Sequence, residues 1–258
     1  MTQTLTTGRP TFESTVADNV AQIVFDGGHP SNAMAIARMA ELRFVITELR
    51  ERDDVHAIVL YGGDDRSFCV GGDFNEVSHF SGGPEVDHWI DEISDLYVQL
   101  LELPVPVIAA IDGYAIGLGL QIALTADYRV GSSECELRMP EFQLGIACNF
   151  GGFMLERTVS RAVMQHMLMS CGSWSARRAL RDGLLHEVLP RDELLAGARS
   201  RAMALASYNR AAVQSTKPFI NQDFALGIRR IQRDAKRSHR AGFAAGRAQQ
   251  NMRTILKK

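Results

Sequence analysis

Residues Pro106 to Gly131 have the sequence PVIAAIDGYAIGLGLQIALTADYRVG, and this stretch decides the fold. It contains, in order, a short apolar run, a glycine-rich loop, a run with apolar residues at helical spacing and a second apolar run. Short apolar runs joined by helical crossovers are typical of parallel strands that are buried on both faces. The stretch predicts a strand over Val105–Ile111, a helix over Leu118–Ala126 and a further strand from Tyr128.

Strand-sized apolar runs also occur nearer the N-terminus. Residues Val20 to Asp26 (VAQIVFD) and His56 to Tyr61 predict two strands, and a pair of glycines follows each of them. Asn32 to Arg50 lies between the two and has apolar residues at helical spacing. We expect residues 1–18 to be a loose lead-in. Strands that alternate with helical crossovers indicate an α/β domain with a parallel sheet.

The C-terminal third of the chain has a different pattern. From about Ala162 onward the segments carry apolar residues three or four positions apart, which predicts helices throughout. Neither a Pro/Ser-rich linker nor a repeat of solenoid length interrupts the sequence. We therefore predict one α/β core over residues 1–200 and a helical C-terminal extension over residues 201–258.

The composition is that of an ordinary globular protein. The chain has 258 residues, of which 46% are hydrophobic and 22% charged, so collagen-like, disordered and disulfide-framed classes are excluded. Its longest apolar run is strand-sized, so we expect no membrane span, and the polar N-terminus resembles no targeting signal. The cysteines lack metal-ligand spacing, which favours reduced thiols in a cytoplasmic protein without a metal. They are Cys69, Cys135, Cys148 and Cys171.

Charge is distributed unevenly along the chain. The formal net charge is −2, yet the segment from Arg210 to Lys258 contains a large excess of lysine and arginine over Asp223 and Asp234. A basic segment of this kind can bind nucleic acid or an anionic ligand, or it can be a solvated helix beside an acidic neighbour. Because no nucleic-acid-binding motif accompanies the segment, we expect no nucleic-acid partner.

Three glycine-bearing segments follow strand-like runs, where α/β folds usually bind ligands. They are Ser67–Phe74 (SFCVGGDF), Asp112–Gln121 (DGYAIGLGLQ) and Met139–Gly152 (MPEFQLGIACNFGG). The second segment enters a helix near Leu118, and the first turn of a helix has unpaired N–H groups. Gly72 in the first segment offers another N–H group. Two such groups that meet at one oxygen would form an oxyanion hole. The alternative is that the glycines only allow a helix and a strand to pack tightly.

Glu141, in the third segment, is the candidate acid–base residue. It follows Pro140 and lies among apolar residues, where a buried carboxyl group would have a raised pKa and could donate or accept a proton. A surface glutamate at a helix start is the alternative. The sequence contains no Walker or Rossmann phosphate loop, no GxSxG motif of serine hydrolases and no HExxH motif of zinc enzymes.

Taken together, these segments resemble the crotonase (enoyl-CoA hydratase/isomerase) superfamily. The resemblance covers most of the chain after Val20, and its specific elements are SFCVGGDFNEV, the long stretch quoted first, and MPEFQLGIACNFGG. It implies a crotonase-like spiral of ββα units with a helical C-terminal region, assembled as a homotrimer or hexamer. It also implies an acyl-CoA thioester as substrate, no further cofactor, and a thioester oxygen held by the N–H groups of Gly72 and Leu118.

One position departs from the hydratase pattern. Hydratases of this superfamily use two glutamates to add water to a double bond; Glu141 matches the second of them, but Gln121 stands at the position of the first. A neutral amide forms hydrogen bonds but cannot take a proton from water. The resemblance therefore disfavours hydration and suits isomerisation, decarboxylation of a malonyl thioester, or carbon–carbon bond formation from the resulting enolate.

Within the superfamily, the closer resemblance is to the carboxymethylproline synthases. It rests on the stretches YGGDDRSFCVGGDFNEV, DGYAIGLGLQIAL, LGIACNFGG and KPFI, and on His239 within KRSHRAGF. It implies decarboxylation of malonyl-CoA and attack of the enolate on pyrroline-5-carboxylate, in antibiotic biosynthesis. Glu141 would then orient the imine or handle its proton, and Gln121 would position the malonyl carboxylate or the electrophile.

The same resemblance implies substrate-binding residues. Trp89 and His239 would line the pocket for the second substrate, although Trp89 could instead be a core or trimer-contact residue and His239 a helix-surface residue. Asn149 is a further substrate-binding candidate at that pocket, at a position where this sequence differs from the synthase pattern. Lys217 and the arginines after Arg229 are candidates to meet the phosphates of CoA. Two other functions remain open: an enoyl-CoA isomerase or hydratase of fatty-acid or polyketide metabolism, and a non-catalytic protein that binds partners or RNA through its basic end.

Overall fold

A computed structural model describes residues 11–257 of the chain. Its strands are β1 (Phe12–Ala17), β2 (Val20–Phe25), β3 (Ala57–Tyr61), β4 (Val107–Ile111), β5 (Tyr114–Ile116), β6 (Tyr128–Ser132), β7 (Glu136–Arg138), β8 (Ser173–Ser175) and β9 (Glu187–Leu189). Its helices are α1 (Ile36–Arg50), α2 (Phe74–Val77), α3 (Pro84–Leu101), α4 (Leu118–Thr125), α5 (Glu141–Leu144), α6 (Asn149–Thr158), α7 (Arg161–Ser170), α8 (Ala176–Arg181), α9 (Leu194–Ala206), α10 (Arg210–Ala244) and α11 (Arg247–Leu256). A 3-10 turn, Arg191–Glu193, precedes α9.

The main sheet has six strands in the order β1-β2-β3-β4-β6-β9. The pair β1 and β2 is antiparallel, and each later pair is parallel. Parallel neighbours need a crossover, which α1 supplies between β2 and β3 and α3 supplies between β3 and β4. The predicted α/β class with parallel strands is therefore confirmed.

Both faces of the central strands are buried, which explains why their sequences are apolar without alternation. In β3, Ile58 and Leu60 face the larger core, which also contains α1 and α3 residues. Ala57 and Val59 face a smaller core, against Ala198 and other residues of α9. Helix α9 thus covers the second face of the sheet, and it runs across residue 200, where we place the predicted core boundary.

A second sheet of three strands, β5-β7-β8, lies beside the main one. Strands β5 and β7 are parallel, with Ile116 opposite Arg138, and β7 and β8 are antiparallel. Helix α4 begins two residues after Ile116, and α5 begins three residues after Arg138. The register of this small sheet therefore sets the position of Leu118 relative to Glu141.

Two expectations for the ends of the chain are wrong in part. Residues 12–17 form a strand rather than a loose lead-in, because Phe12 to Ala17 pair antiparallel with β2 at an exposed sheet edge; residues 1–10 lie outside the described part. The region after Ala162 is not wholly helical, since it contains β8 and β9. Strands of three residues are too short to show a period, and pairing with β7 and β6 stabilises them.

The C-terminal helices close one side of the core. Helix α10 packs along α3, and Gln232 of α10 donates to Asp91 and Ser94 of α3. Lys217, also on α10, is only 5% exposed; its ammonium group lies 2.6 Å from the Val105 carbonyl oxygen and 2.7 Å from the Asp127 carboxylate. Among residues 11–257, no helix is both long enough and apolar enough to cross a membrane.

Candidate active site

A narrow, partly enclosed pocket lies where the small sheet, α3, α6 and α10 meet. Its wall is mostly apolar, with contributions from Val70, Ile93, Ile116 and Phe150. The structure brings seven of the site residues predicted from the sequence to this one pocket. They are Gly72, Trp89, Leu118, Gln121, Glu141, Asn149 and His239.

The first two glycine-bearing segments are joined by backbone hydrogen bonds. The Cys69 N–H donates to Tyr114 O at 3.0 Å, and the Ile116 N–H donates to Cys69 O at 3.0 Å. Gly119 packs so tightly here that a Cβ atom on it would lie 2.0 Å from Cys69 O. A Cβ atom on Gly71 would lie 3.8 Å from the Leu118 nitrogen. The glycines therefore do both things expected of them: they allow tight packing, and they bring the two loops together.

Two backbone amides in these loops have no acceptor within the described part of the chain. The N–H of Leu118 belongs to the first turn of α4, where no earlier helical carbonyl is available. The N–H of Gly72 is left free, although Gly71 O accepts from Met34 N and the neighbouring Asp73 N donates to Met34 O. Both residues line the pocket. Two free donors from adjacent loops can hold one oxygen that becomes anionic.

Glu141 opens α5 and is 6% exposed. Its Oε1 accepts a hydrogen bond of 2.9 Å from Gln121 Nε2, and its Oε2 has no partner among the described residues. Burial raises the pKa of the Glu141 carboxyl to about 7, against weaker opposing effects from hydrogen bonds. Near neutral pH this group can therefore either donate or accept a proton.

Gln121 makes its hydrogen bonds inside the protein. Its Oε1 accepts from the Tyr97 hydroxyl at 2.8 Å, its Nε2 donates to Glu141, and Met139 Sδ lies 3.6 Å from Nε2. As placed, Gln121 orients Glu141. The expectation that Gln121 positions a substrate carboxylate is tested by no contact in the structure and stays a prediction.

The three residues expected at a second-substrate pocket are all at least partly buried. Trp89 is 5% exposed, packs edge-on against His239 with 5.6 Å between ring centroids, and has an Nε1–H without a partner in the described chain. Asn149 Oδ1 is likewise buried and unpartnered. His239 is buried, so it is not a helix-surface side chain; its Nδ1 lies 2.8 Å from Ala235 O, and burial lowers its pKa.

Trp89 thus belongs both to the core and to the pocket wall. Phe80 and Phe243 pack edge-on against its ring, whereas a Cβ atom on Gly72 would lie 3.6 Å from its Cζ2. The indole therefore lies beside Gly72, and both line the pocket.

A wider groove leads from this pocket to the surface. It shares Gly72, Ile116 and Pro140 with the pocket wall, and Arg38 and Arg138 are among the other residues that line it. The groove suits a long ligand that carries anionic groups. Within residues 11–257 no cluster of three or more His, Cys, Asp or Glu residues could hold a metal ion.

Lys217 is not available to a ligand, and its expected role at the phosphates of CoA is wrong. Its ammonium group is buried and already bound to Asp127 and to Val105 O. Lys217 belongs to the basic C-terminal segment of the sequence, but the charge pattern does not reveal that α10 turns this side chain into the protein.

Two residues near the site are absent from the sequence-based predictions. Tyr97 lies eight positions after Trp89 on the same helix, a spacing that puts both on nearly one face. Cys148 was expected only to be a reduced thiol, but it lines the pocket together with Glu141, and burial raises the pKa of its thiol.

Comparison with known sequences assigns the family. The sequence profile of the enoyl-CoA hydratase/isomerase family matches residues 15–253. The chain therefore belongs to this family, that of the crotonases.

Particular relatives are named as synthases and as hydratases. The chain is 36% identical to a carboxymethylproline synthase of Pectobacterium carotovorum over 94% of its own length and 97% of that protein. It is 31% identical to a short-chain-enoyl-CoA hydratase of Clostridium acetobutylicum over 81% of its length and 80% of that protein.

Solved structures agree with this assignment. ThnE from S. clavuligerus is 47% identical, with a TM-score of 0.78 over 88% of this chain and 100% of that chain. An enoyl-CoA hydratase/isomerase from Mycobacterium paratuberculosis has a TM-score of 0.86 over 96% of this chain and 100% of that chain at 20% identity, which shows the shared fold alone.

Proposed function

We propose that the protein decarboxylates malonyl-CoA and joins the resulting thioester enolate to a cyclic imine such as pyrroline-5-carboxylate. The observation that carries the proposal is the hydrogen bond from the neutral Gln121 amide to Glu141, the single carboxyl group on the pocket wall formed by the described residues. Hydration in this superfamily uses two carboxyl groups. The 36% identity to a carboxymethylproline synthase supports the same choice.

Decarboxylation fits a site with one titrating carboxyl. The bond between the α-carbon and the carboxylate carbon breaks, CO2 leaves, and the electron pair passes into the thioester enolate. No strong base has to remove an α-proton. The charge collects on the thioester oxygen, where the N–H groups of Gly72 and Leu118 would each contribute about 3 kcal/mol of transition-state stabilisation.

The enolate then forms the new carbon–carbon bond. Its α-carbon attacks the imine carbon, the carbon–nitrogen π electrons move to nitrogen, and nitrogen takes up one proton unless the substrate arrives as the iminium ion. Glu141 would supply or orient that proton through Oε2, because its pKa of about 7 leaves the group partly protonated at neutral pH.

The second substrate would lie against Trp89, His239 and Asn149. The Trp89 Nε1–H is a donor without a partner, and Asn149 Oδ1 is an acceptor without a partner, in the described chain. A small ring that carries a carboxylate and, in its protonated form, an iminium N–H would satisfy one of each. The CoA part of malonyl-CoA would occupy the outer groove, next to Arg38 and Arg138.

The experiment is incubation of the protein with malonyl-CoA, with and without pyrroline-5-carboxylate, followed by mass spectrometry. We expect acetyl-CoA in the first case and a carboxymethylproline thioester or acid in the second. Formation of neither product would refute the proposal. Gly72 and Leu118 would act through their backbone N–H groups, which a side-chain substitution does not remove, so the variant to test is Glu141→Gln. We expect Glu141→Gln to lower adduct formation more than decarboxylation.

An enoyl-CoA isomerase or hydratase is the second candidate. A carboxyl with a pKa of about 7 beside two free amides is also suited to move a proton between carbons of an enoyl thioester. Relatives named as hydratase and carnitinyl-CoA dehydratase support it. Turnover of crotonyl-CoA with no product from malonyl-CoA would favour this candidate.

We also propose that the enzyme is a cytoplasmic homotrimer or pair of trimers that acts in antibiotic biosynthesis, with no cofactor beyond the CoA of its substrate. Large apolar side chains on the outer surface of α10 support assembly, since Phe219 is 74% exposed and Ile220 is 65% exposed in the single chain.

A further inference from the structure

Tyr97 lies behind the candidate pair of Gln121 and Glu141. Its side chain is fully buried on α3, and the Phe150 ring packs edge-on against it with 5.7 Å between centroids. The hydroxyl donates to Gln121 Oε1 at 2.8 Å. Tyr97 is not among the described residues that line the pocket, and the hydrogen bond of its hydroxyl to Gln121 connects it to the site.

The orientation of the Gln121 amide decides what Glu141 meets. The two ends of a carboxamide have nearly the same shape but opposite hydrogen-bonding character. In the observed orientation the Tyr97 hydroxyl donates to Oε1, and Nε2 donates to Glu141. In the reversed orientation Oε1 would face a carboxylate oxygen. The Tyr97 proton would then have no acceptor in the described chain, a costly state for a buried donor.

We infer that Tyr97 is a positioning residue, whose hydroxyl holds the Gln121 amide in the orientation that donates to Glu141 Oε1 and leaves Oε2 for the substrate. The catalytic part of this inference rests on the proposed function; the positioning part does not. The three side chains form one directed chain of hydrogen bonds that begins in the core and ends at the pocket.

The other groups that face Glu141 do not replace this hydrogen bond. Cys148, before α6, contacts the carboxyl group through its thiol, a weak donor. His239, from α10, lines the same pocket, but burial lowers its pKa and favours the neutral ring. Tyr97, from α3, also stays neutral, because burial and the charge on Glu141 raise its pKa. The Gln121 N–H is thus the strongest donor to the carboxylate among these groups.

The first test is the variant Tyr97→Phe, which removes only the hydroxyl. Protein labelled with 13C at the glutamate side-chain carboxyl groups is titrated and followed by NMR. The Glu141 signal is identified as the one missing from the spectrum of Glu141→Gln. We expect the titration midpoint to rise by about one pH unit, which corresponds to one hydrogen bond. Tyr61→Phe is the matched control, because its hydroxyl donates to Asp64 at 2.8 Å outside the site, and it should leave the midpoint unchanged. Equal midpoints in the wild type and Tyr97→Phe would overturn the inference.

The second test is a double-mutant cycle on turnover. Tyr97→Phe alone should lower kcat about tenfold with little change in KM. In the Gln121→Met background there is no amide to orient, so adding Tyr97→Phe should change kcat by less than about twofold. An equal loss in both backgrounds would show that Tyr97 acts by another route. If malonyl-CoA is not turned over at all, the proposed function fails, while the NMR titration still decides the positioning role.

Discussion

Replacement of Glu141 by Gln should make the protein more stable above neutral pH. Burial raises the pKa of this carboxyl from 4.5 to about 7. Between these two pH values the folded protein keeps a proton that the unfolded chain has already lost. The contribution of Glu141 to stability therefore falls as pH rises through this window; it is least favourable above about pH 7 and carries no penalty below about pH 4.5.

The size of the effect follows from the same shift. A difference of about 2.5 pH units, at about 1.4 kcal/mol per unit, amounts to about 3 kcal/mol. Glu141→Gln has no carboxyl to ionise, so its free energy of unfolding minus that of the wild type should increase by about 3 kcal/mol between about pH 4.5 and about pH 8, in the direction of a more stable variant.

Urea unfolding followed by circular dichroism measures this difference, at equal protein concentration and at several pH values. Other titrating groups cancel because they occur in both proteins. Glu48→Gln, at an exposed position on α1, is the control and should show no such trend. A difference between Glu141→Gln and wild type that is constant with pH would refute the reasoning, because Glu141 would then titrate as an exposed carboxyl does.

Two further predictions concern the frame of the site. Gly119→Ala should abolish activity and lower Tm, because its Cβ atom would lie 2.0 Å from the Cys69 carbonyl oxygen and force the two loops apart. Gly152→Ala is the control, because its Cβ atom would meet nothing closer than 3.6 Å. In a thermal scan and an activity assay this control should keep both the Tm and the activity of the wild type. Lys217→Met should lower the free energy of unfolding by about 3 kcal/mol, because it leaves the Asp127 carboxylate without its buried partner. An unchanged urea midpoint for Lys217→Met would contradict the structural role of this ion pair.

Much of the core is predictable from sequence because its strands are short and apolar. The stretch from Pro106 to Gly131 predicts β4, α4 and β6 with their correct order, since buried parallel strands leave an uninterrupted apolar pattern. Strands β8 and β9 could not be predicted, because three residues hold no period and their pairing partners are far away in the chain.

The site was predictable to the level of residues but not of contacts. Local chemistry alone left tight packing and a surface glutamate open as alternatives, and the resemblance to a known family is what singled out Gly72, Leu118 and Glu141 as candidates. The hydrogen bond between Tyr97 and Gln121 joins positions 24 residues apart on two helices, and the contact of Lys217 with Val105 spans 112 residues. Side-chain pairs of this kind depend on how helices pack, which no spacing rule records.

The small three-stranded sheet has a consequence for how this architecture can change. Leu118, Gln121 and Glu141 all lie on one continuous piece of chain, and the pairing of β5 with β7 sets their separation within that piece. A pair of genetic crossovers that flank this piece would carry Leu118, Gln121 and Glu141, with their spacing intact, into a related scaffold. The Gly72 loop and Tyr97 would have to be supplied by that scaffold, so only a recipient that already has both could complete the same arrangement.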